Sequence, residues 1–201
     1  MSVSAVVFDV GNVLYHWDIG LLYQDLIPDA GERDWFLSHV VTPQWHFQHD
    51  AGRPLAEMVA ELSAQYPDYS DLIAAYPAGL LRTIPGPVKG SHELIAELAA
   101  RGVPIFGITN FGDEFWNMFR PTAPVFDHFQ DIIVSGVERL VKPDPAIYAL
   151  ALRRFGLAPD TGIFIDDRRD NIEAAQANGF VGHQFHDAPR LRHALLAHGL
   201  L

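Results

Sequence analysis

A small set of polar residues in this chain has types and spacing that suit chemistry on an anion. In "AVVFDVGNVLYHWD" one carboxylate, Asp9, follows an apolar run and stands directly before a Gly11–Asn12 turn. In "GITN" a second apolar run ends in Thr109 and Asn110, where a hydroxyl and a backbone N–H can face an anion. In "RLVKPDPAIY" Lys142 precedes a helix start that has Asp144 as its cap and Pro145 at its first position, a junction that fixes the backbone from which the ammonium reaches out. In "IFIDDRRDN" Asp166 and Asp167 stand side by side after an apolar run. Adjacent carboxylates repel unless something positive holds them, and Mg²⁺, a hard cation, suits a few carboxylates together with a phosphate. Each feature has an ordinary reading when taken alone: Asp9 as a turn organiser, Thr109 as a strand end, Lys142 as a solvated surface charge. In combination these ordinary readings are hard to sustain.

The scaffold that would gather them is legible in the order of elements. Ala5 to Val10 is short, rich in Val and Phe, and bounded by turn residues, which predicts a strand buried on both faces. From Asp18 to Thr83 the pattern is helical with no convincing strand, as in "PLAEMVAELSAQY" and "DLIAAYPAGLL", so this block reads as an insertion. There follow a helix in "GPVKGSHELIAELAARG", the strand "VPIFGITN", a helical stretch around "DEFWNMF", the strand "DIIVSG" and the helix "DPAIYALALRRFG". The strand "TGIFIDD", the helix "RRDNIEAAQANG", a weak strand "VGHQF" and a last helix to about Ala197 complete the series. Strands alternating with helices of this length predict an α/β fold with a doubly wound, Rossmann-like parallel sheet. Ligands of such sheets bind at the carboxyl ends of the strands, where the residues above stand.

Bulk composition narrows the partners. The chain has 201 residues, 49% of them hydrophobic, and a formal net charge of -11. That length suits a core with an insertion, here residues 1–16 and 84–201 with a helical block at 17–83. The acidic balance argues against nucleic acid or an anionic membrane as main partner. The absence of cysteine excludes disulfides and thiolate-held metals. The start has no basic leader and its apolar run is short, so the expected location is the cytoplasm. Among ten histidines the closest pair, His46 and His49, has no HExxH spacing and is expected on a helix surface.

The ordered set "VVFDVGNVL", helical insertion, "GITN", "VKPDPAIY" and "FIDDRRDNIEAA" resembles the haloacid-dehalogenase-like hydrolase superfamily over the whole chain. Most members are Mg²⁺-dependent phosphatases with an aspartate nucleophile. The resemblance implies that Asp9 is nucleophile and metal ligand, that the Gly11 carbonyl, Asp166 and Asp167 complete the metal site, and that Asn171 holds the motif's later acidic-or-amide position. It further implies that Thr109, Asn110 and Lys142 bind the phosphoryl group and that residues 17–83 form a cap. The expected partner is a small phosphorylated metabolite, with the chain a monomer or homodimer. The Gly11–Asn12 pair and "WHFQHDAGR" look like a bacterial branch that includes sugar-phosphate phosphatases such as glucose-1-phosphate phosphatase.

One departure stands out: Gly11 occupies the place where these phosphatases usually carry a second Asp as general acid and base. Asp18, His16, His46 and His49 are the sequence's candidates for that proton, and Trp17, Trp45, Phe47 and Arg53 for the cap lining. Three alternatives share part of this pattern. Receiver domains share the fold type but place the acidic pair first and lack the insertion, and a true dehalogenase does not use an acidic metal pair. A catalytically dead phosphate-binding module would keep the same residues and bind a phosphate analogue without turnover.

Overall fold

A computed structural model describes residues 2–201. Five parallel strands form one sheet: β1 (Ala5–Phe8), β2 (Ile105–Thr109), β3 (Asp131–Val134), β4 (Gly162–Asp166) and β5 (Val181–Gln184), in the order β3-β2-β1-β4-β5. β1 is central, with Val7 in register with Phe106 on one side and Phe164 on the other. It is buried throughout, as a strand covered on both faces must be. The strand order reverses beside β1, so the carboxyl ends of β1, β2 and β4 open one crevice.

Five helices of the inserted block follow β1: α1 (Gly20–Tyr23), α2 (Ala30–His39), α3 (Pro43–Asp50), α4 (Leu55–Gln65) and α5 (Ser70–Gly79). Their starts are set by local chemistry, with Asp29 accepting from Glu32 N at 2.8 Å for α2 and Thr42 accepting from Trp45 N at 3.1 Å for α3. Leu55, Met58 and Leu62 give α4 one buried stripe. The remaining helices are α6 (Ser91–Ala100), α7 (Asp113–Phe119), α8 (Ser135–Glu138), α9 (Pro145–Phe155), α10 (Arg169–Ala177) and α11 (Ala188–Ala197). α6 starts later than its apolar pattern suggests because Gly90, at φ +86°, turns the chain left-handed just before it.

Strand alternation divides the core in two. Val6 and Phe8 pack with α6, α7, α11 and the inserted helices, whereas Ala5 and Val7 pack with α9 and α10. Asp144 caps α9 by accepting from Ala146 N at 2.8 Å, with Pro145 at its first position as expected. Among the described residues no helix is long and apolar enough to cross a membrane.

Candidate active site

The carboxyl ends of β1 and β4 meet across one ammonium. Lys142, at the loop entering α9, is buried, and its Nζ lies 2.8 Å from Asp9 Oδ1 and 2.7 Å from Asp166 Oδ2. Asp166 has no solvent exposure and is held from several sides: Arg168 N donates to Oδ1 at 2.8 Å, and Asn171 Nδ2 lies 3.0 Å from each oxygen. Val10 N donates to Asp9 Oδ1 at 2.7 Å, so the residue after β1 aims that carboxylate. Asn12, at φ +55°, makes the turn that follows, which Asn tolerates better than most residues. Burial and the Asp166 charge push the Asp9 carboxyl above the usual carboxylate range, while Lys142 opposes them. Burial also depresses Lys142, but the two facing carboxylates outweigh it and leave the ammonium raised and charged.

Asp9, Asp166 and Asp167 each offer a carboxylate oxygen, all within 4.8 Å of one another. Burial and the neighbouring Asp166 raise Asp167 above its ordinary value. Asn171 lines the same cavity, and its Oδ1 is buried without a hydrogen-bond partner. An all-oxygen set with excess negative charge and an orphaned amide oxygen fits a hard divalent cation. Gly11 lines the same cavity and leaves open space where a Cβ would stand.

The other expected residues divide. Asn110 lines the cavity, and its amide also brackets the lysine loop: Nδ2 donates to Lys142 O at 3.0 Å and Oδ1 accepts from Lys142 N at 2.8 Å. Thr109 and Asp166 are buried behind the wall, outside the lining.

The cavity holds about 230 Å³ between this sheet edge and the inserted helices. Trp17, Phe47, Ile84, Phe111 and Phe115 supply its apolar wall, and Lys142 and Arg168 its Lys and Arg side chains. Of the four candidate lining residues, Trp17 and Phe47 reach it. Trp45 packs in the core against Tyr76, and Arg53 turns away to pair with Glu61.

The expectation of a surface His46–His49 pair fails. Both are buried in the short helix α3, whose end is pressed against the core. His49 Nδ1 meets Arg53 O at 3.1 Å, and its ring lies over Gly112 so closely that a Cβ there would stand 2.0 Å from it. His46 stacks on Trp17 with ring centroids 4.9 Å apart, and its Nδ1 hydrogen-bonds Tyr76 Oη. Burial lowers His46 to about 3, so the ring is neutral. Asp18 holds Gly20 N at 2.8 Å and lies outside the cavity, while His16 is on its wall.

Sequence reasoning missed Asp50. This carboxyl, the last residue of α3, is buried on the cavity wall, with Oδ2 3.6 Å from His46 Nε2 and Oδ1 without a partner. Burial pushes it up to about 7. Facing a neutral imidazole, it forms an acid–base contact and not a fixed ion pair. The available signal was weak: an Asp just before the Gly52 turn, in a helix whose polar side is the buried one.

Comparisons with known proteins show the family and the fold. The family model of haloacid dehalogenase-like hydrolases matches residues 3–179. A sesquiterpene phosphatase of Aspergillus oryzae is 28% identical over 185 residues, which cover 89% of this chain and 88% of that protein. A phosphoglycolate phosphatase of Pectobacterium atrosepticum is 36% identical over 88 residues, but these cover only 43% of this chain and 37% of that enzyme. Among solved structures, a HAD family enzyme of Bacteroides thetaiotaomicron superposes with TM-score 0.76 at 19% identity, covering 97% of this chain and 99% of that one. The same enzyme in complex with magnesium and inorganic phosphate gives TM-score 0.71 at 18% identity, covering 92% and 95%.

Proposed function

The chain belongs to the haloacid dehalogenase-like hydrolase family, and on that premise we propose that it is a Mg²⁺-dependent phosphomonoesterase working through an aspartyl-phosphate on Asp9. It is a hydrolase of phosphate esters, with phosphatase-named relatives on both the fungal and bacterial side. The observation that carries the finer reading is the meeting of Asp9, Asp166 and Asp167 oxygens within 4.8 Å, with Lys142 Nζ 2.8 Å from Asp9.

A carboxylate about 4 Å from one phosphate charge is opposed by roughly 4 kcal/mol at an effective dielectric of 20. Lys142 offsets part of that, held in place by Asp166 and the Asn110 bracket. A bound Mg²⁺, held by Asp9, Asp167, Asp166 and the Gly11 carbonyl, would supply Lewis-acid charge neutralisation at the phosphoryl oxygens. Asp9 attacks phosphorus in line, the ester oxygen leaves, and water then cleaves the acyl phosphate. Thr109 and Asn110 are read as phosphoryl partners, Asn171 as the residue that positions the acidic pair, and residues 17–83 as a cap that excludes water and selects the leaving group.

The substrate reading is a small phosphorylated metabolite. Sugar phosphates follow from the branch resemblance. The wall of Trp17, Phe47, Ile84, Phe111 and Phe115 favours a second reading, an apolar ester such as a terpenoid phosphate. A panel of sugar, glycolate, aryl and isoprenoid phosphates assayed with Mg²⁺ and with chelator tests both. Phosphate release that needs Mg²⁺ is expected. Release unaffected by chelation, or none from any ester, contradicts the proposal.

A further inference from the structure

We propose that Asp50 is the general acid and base of this enzyme, delivered by the inserted helices to do the proton work that Gly11 has no side chain to do. The inference rests on reading Asp9 as the phosphorylated group.

Its basis is how α3 is seated. Ser135, fully buried at the end of β3, donates to the Asp50 carbonyl at 2.6 Å and accepts from Phe111 N at 2.9 Å, tying the helix end to the loop after β2. Around this tie, three glycines allow close approach, two of them to backbone and one to a side-chain ring. A Cβ at Gly52 would stand 2.8 Å from Gly136 O, one at Gly136 2.6 Å from Asp113 N, and one at Gly112 2.0 Å from the His49 ring. Gly52, at φ +93°, also needs the left-handed conformation. Asp50 is therefore held fast against the core on the wall that also carries Asp9 and Lys142.

The second observation is the carboxyl itself. Oδ1 is buried with no hydrogen-bond partner, an arrangement that costs free energy unless something enters to use it. His46 of its own helix contacts Asp50, and Tyr76 from α5, Asp9 after β1, Lys142 and the Gly112 N–H act on its charge. With His46 neutral, burial and Asp9 favour the protonated acid, while Lys142 and Gly112 N–H oppose it. The competing donors are weaker, two by position and one by protonation state. Asp18 and His49 lie outside the cavity, and His46 as a neutral imidazole holds no acidic proton near neutral pH. His16 is on the wall and serves as the control.

The chemistry balances. As Asp9 bonds to phosphorus and the ester P–O bond breaks, the Asp50 acid passes its proton to the departing oxygen and becomes a carboxylate. That carboxylate then takes a proton from the water attacking the acyl phosphate, which restores the acid, frees Asp9 and releases inorganic phosphate.

The test is single-turnover phosphorylation with Mg²⁺ by aryl phosphates of similar shape and differing leaving-group pKa, in wild type, Asp50→Asn and His16→Gln. The rate should depend weakly on leaving-group pKa in wild type and His16→Gln. In Asp50→Asn it should stay within about threefold for the best leaving group and fall about 10²-fold or more for the poorest. Wild type alone gives a second readout that does not depend on a variant folding: an alkaline fall in rate for the poorest leaving group that is absent for the best. A uniform loss in Asp50→Asn, a shallow dependence there, a steep one in His16→Gln, or no alkaline fall overturns the assignment of Asp50. Absence of any phosphoenzyme in wild type overturns the Asp9 reading instead, and this inference with it.

Discussion

Lys142 Nζ lies 2.7 Å from a carboxylate, Asp166, that has no contact with solvent, and 2.8 Å from Asp9 on its other side. One buried cation between two acids is a fixed counter-charge at the place where a dianionic phosphate must approach. Asp166 also takes hydrogen bonds from Arg168 N and Asn171 Nδ2, but these donors carry no charge, so the lysine cannot swing away without leaving two buried carboxylates without a counter-charge.

Removing that cation should therefore cost stability as well as rate. Lys142→Met is expected to lose about 3–5 kcal/mol in urea unfolding without metal, since two buried carboxylates are left unpaired. A loss below about 1 kcal/mol would mean that water reaches the pair freely.

Asp167 and Asp170 are close in sequence and differ in place. Asp167 belongs to the acidic trio, whereas Asp170 is taken up by Arg168, whose Nε lies 3.1 Å from its Oδ1. Calorimetric titration of Mg²⁺ should show Asp167→Ala weakened by about tenfold or more and Asp170→Ala little changed. Equal losses would refute the trio as the metal site.

The seating of α3 makes a steric prediction. Gly112→Ala drives a methyl into the His49 ring and should cost about 1–3 kcal/mol together with most of the activity, because Asp50 moves with the helix. Gly11→Ala points its methyl into open space and should stay within about 0.5 kcal/mol of wild type. Equal effects on stability would show that α3 is not docked as described.

Asp50 also predicts a pH-dependent difference. Its carboxyl is raised from 3.8 to about 7 in the folded chain, so between those values the folded state holds a proton that the unfolded state has lost. Stability from this group falls as pH rises through that window, by a few kcal/mol at most, and the penalty is complete above about pH 7. Asp50→Asn should thus be more stable than wild type at pH 8 and no more stable at pH 4, as read by urea midpoints. The opposite order, or no difference at pH 8, would show that the carboxyl is not desolvated.

Much of this was legible in sequence because it depends on short-range rules. The apolar runs ending at Asp9, Thr109 and Asp166 are strand cores, and Asp144–Pro145 is a helix start that can be read locally. The inserted helices were also legible as a block. Their inward face was not: in "PQWHFQHD" the helix buries His46, His49 and Asp50 while leaving Phe47 partly exposed, an inversion of the usual pattern. No local rule signals that inversion, because it arises from Ser135 and Gly112, more than sixty residues downstream, and from the cavity the helix helps to close. Arg53 is drawn away from the cavity by nearer partners, Gln48 and Glu61, that lie on the helices either side of it.

Every step of the proposed mechanism depends on transfer of phosphate to Asp9. Acid quench of wild-type enzyme during turnover of a reactive aryl phosphate with Mg²⁺, followed by peptide mass spectrometry, addresses it directly. A phosphate is expected on the peptide carrying Asp9, lost on hydroxylamine treatment, with neither label nor turnover in a folded Asp9→Asn variant. Turnover retained by Asp9→Asn, or a phosphate trapped on another residue, would contradict it.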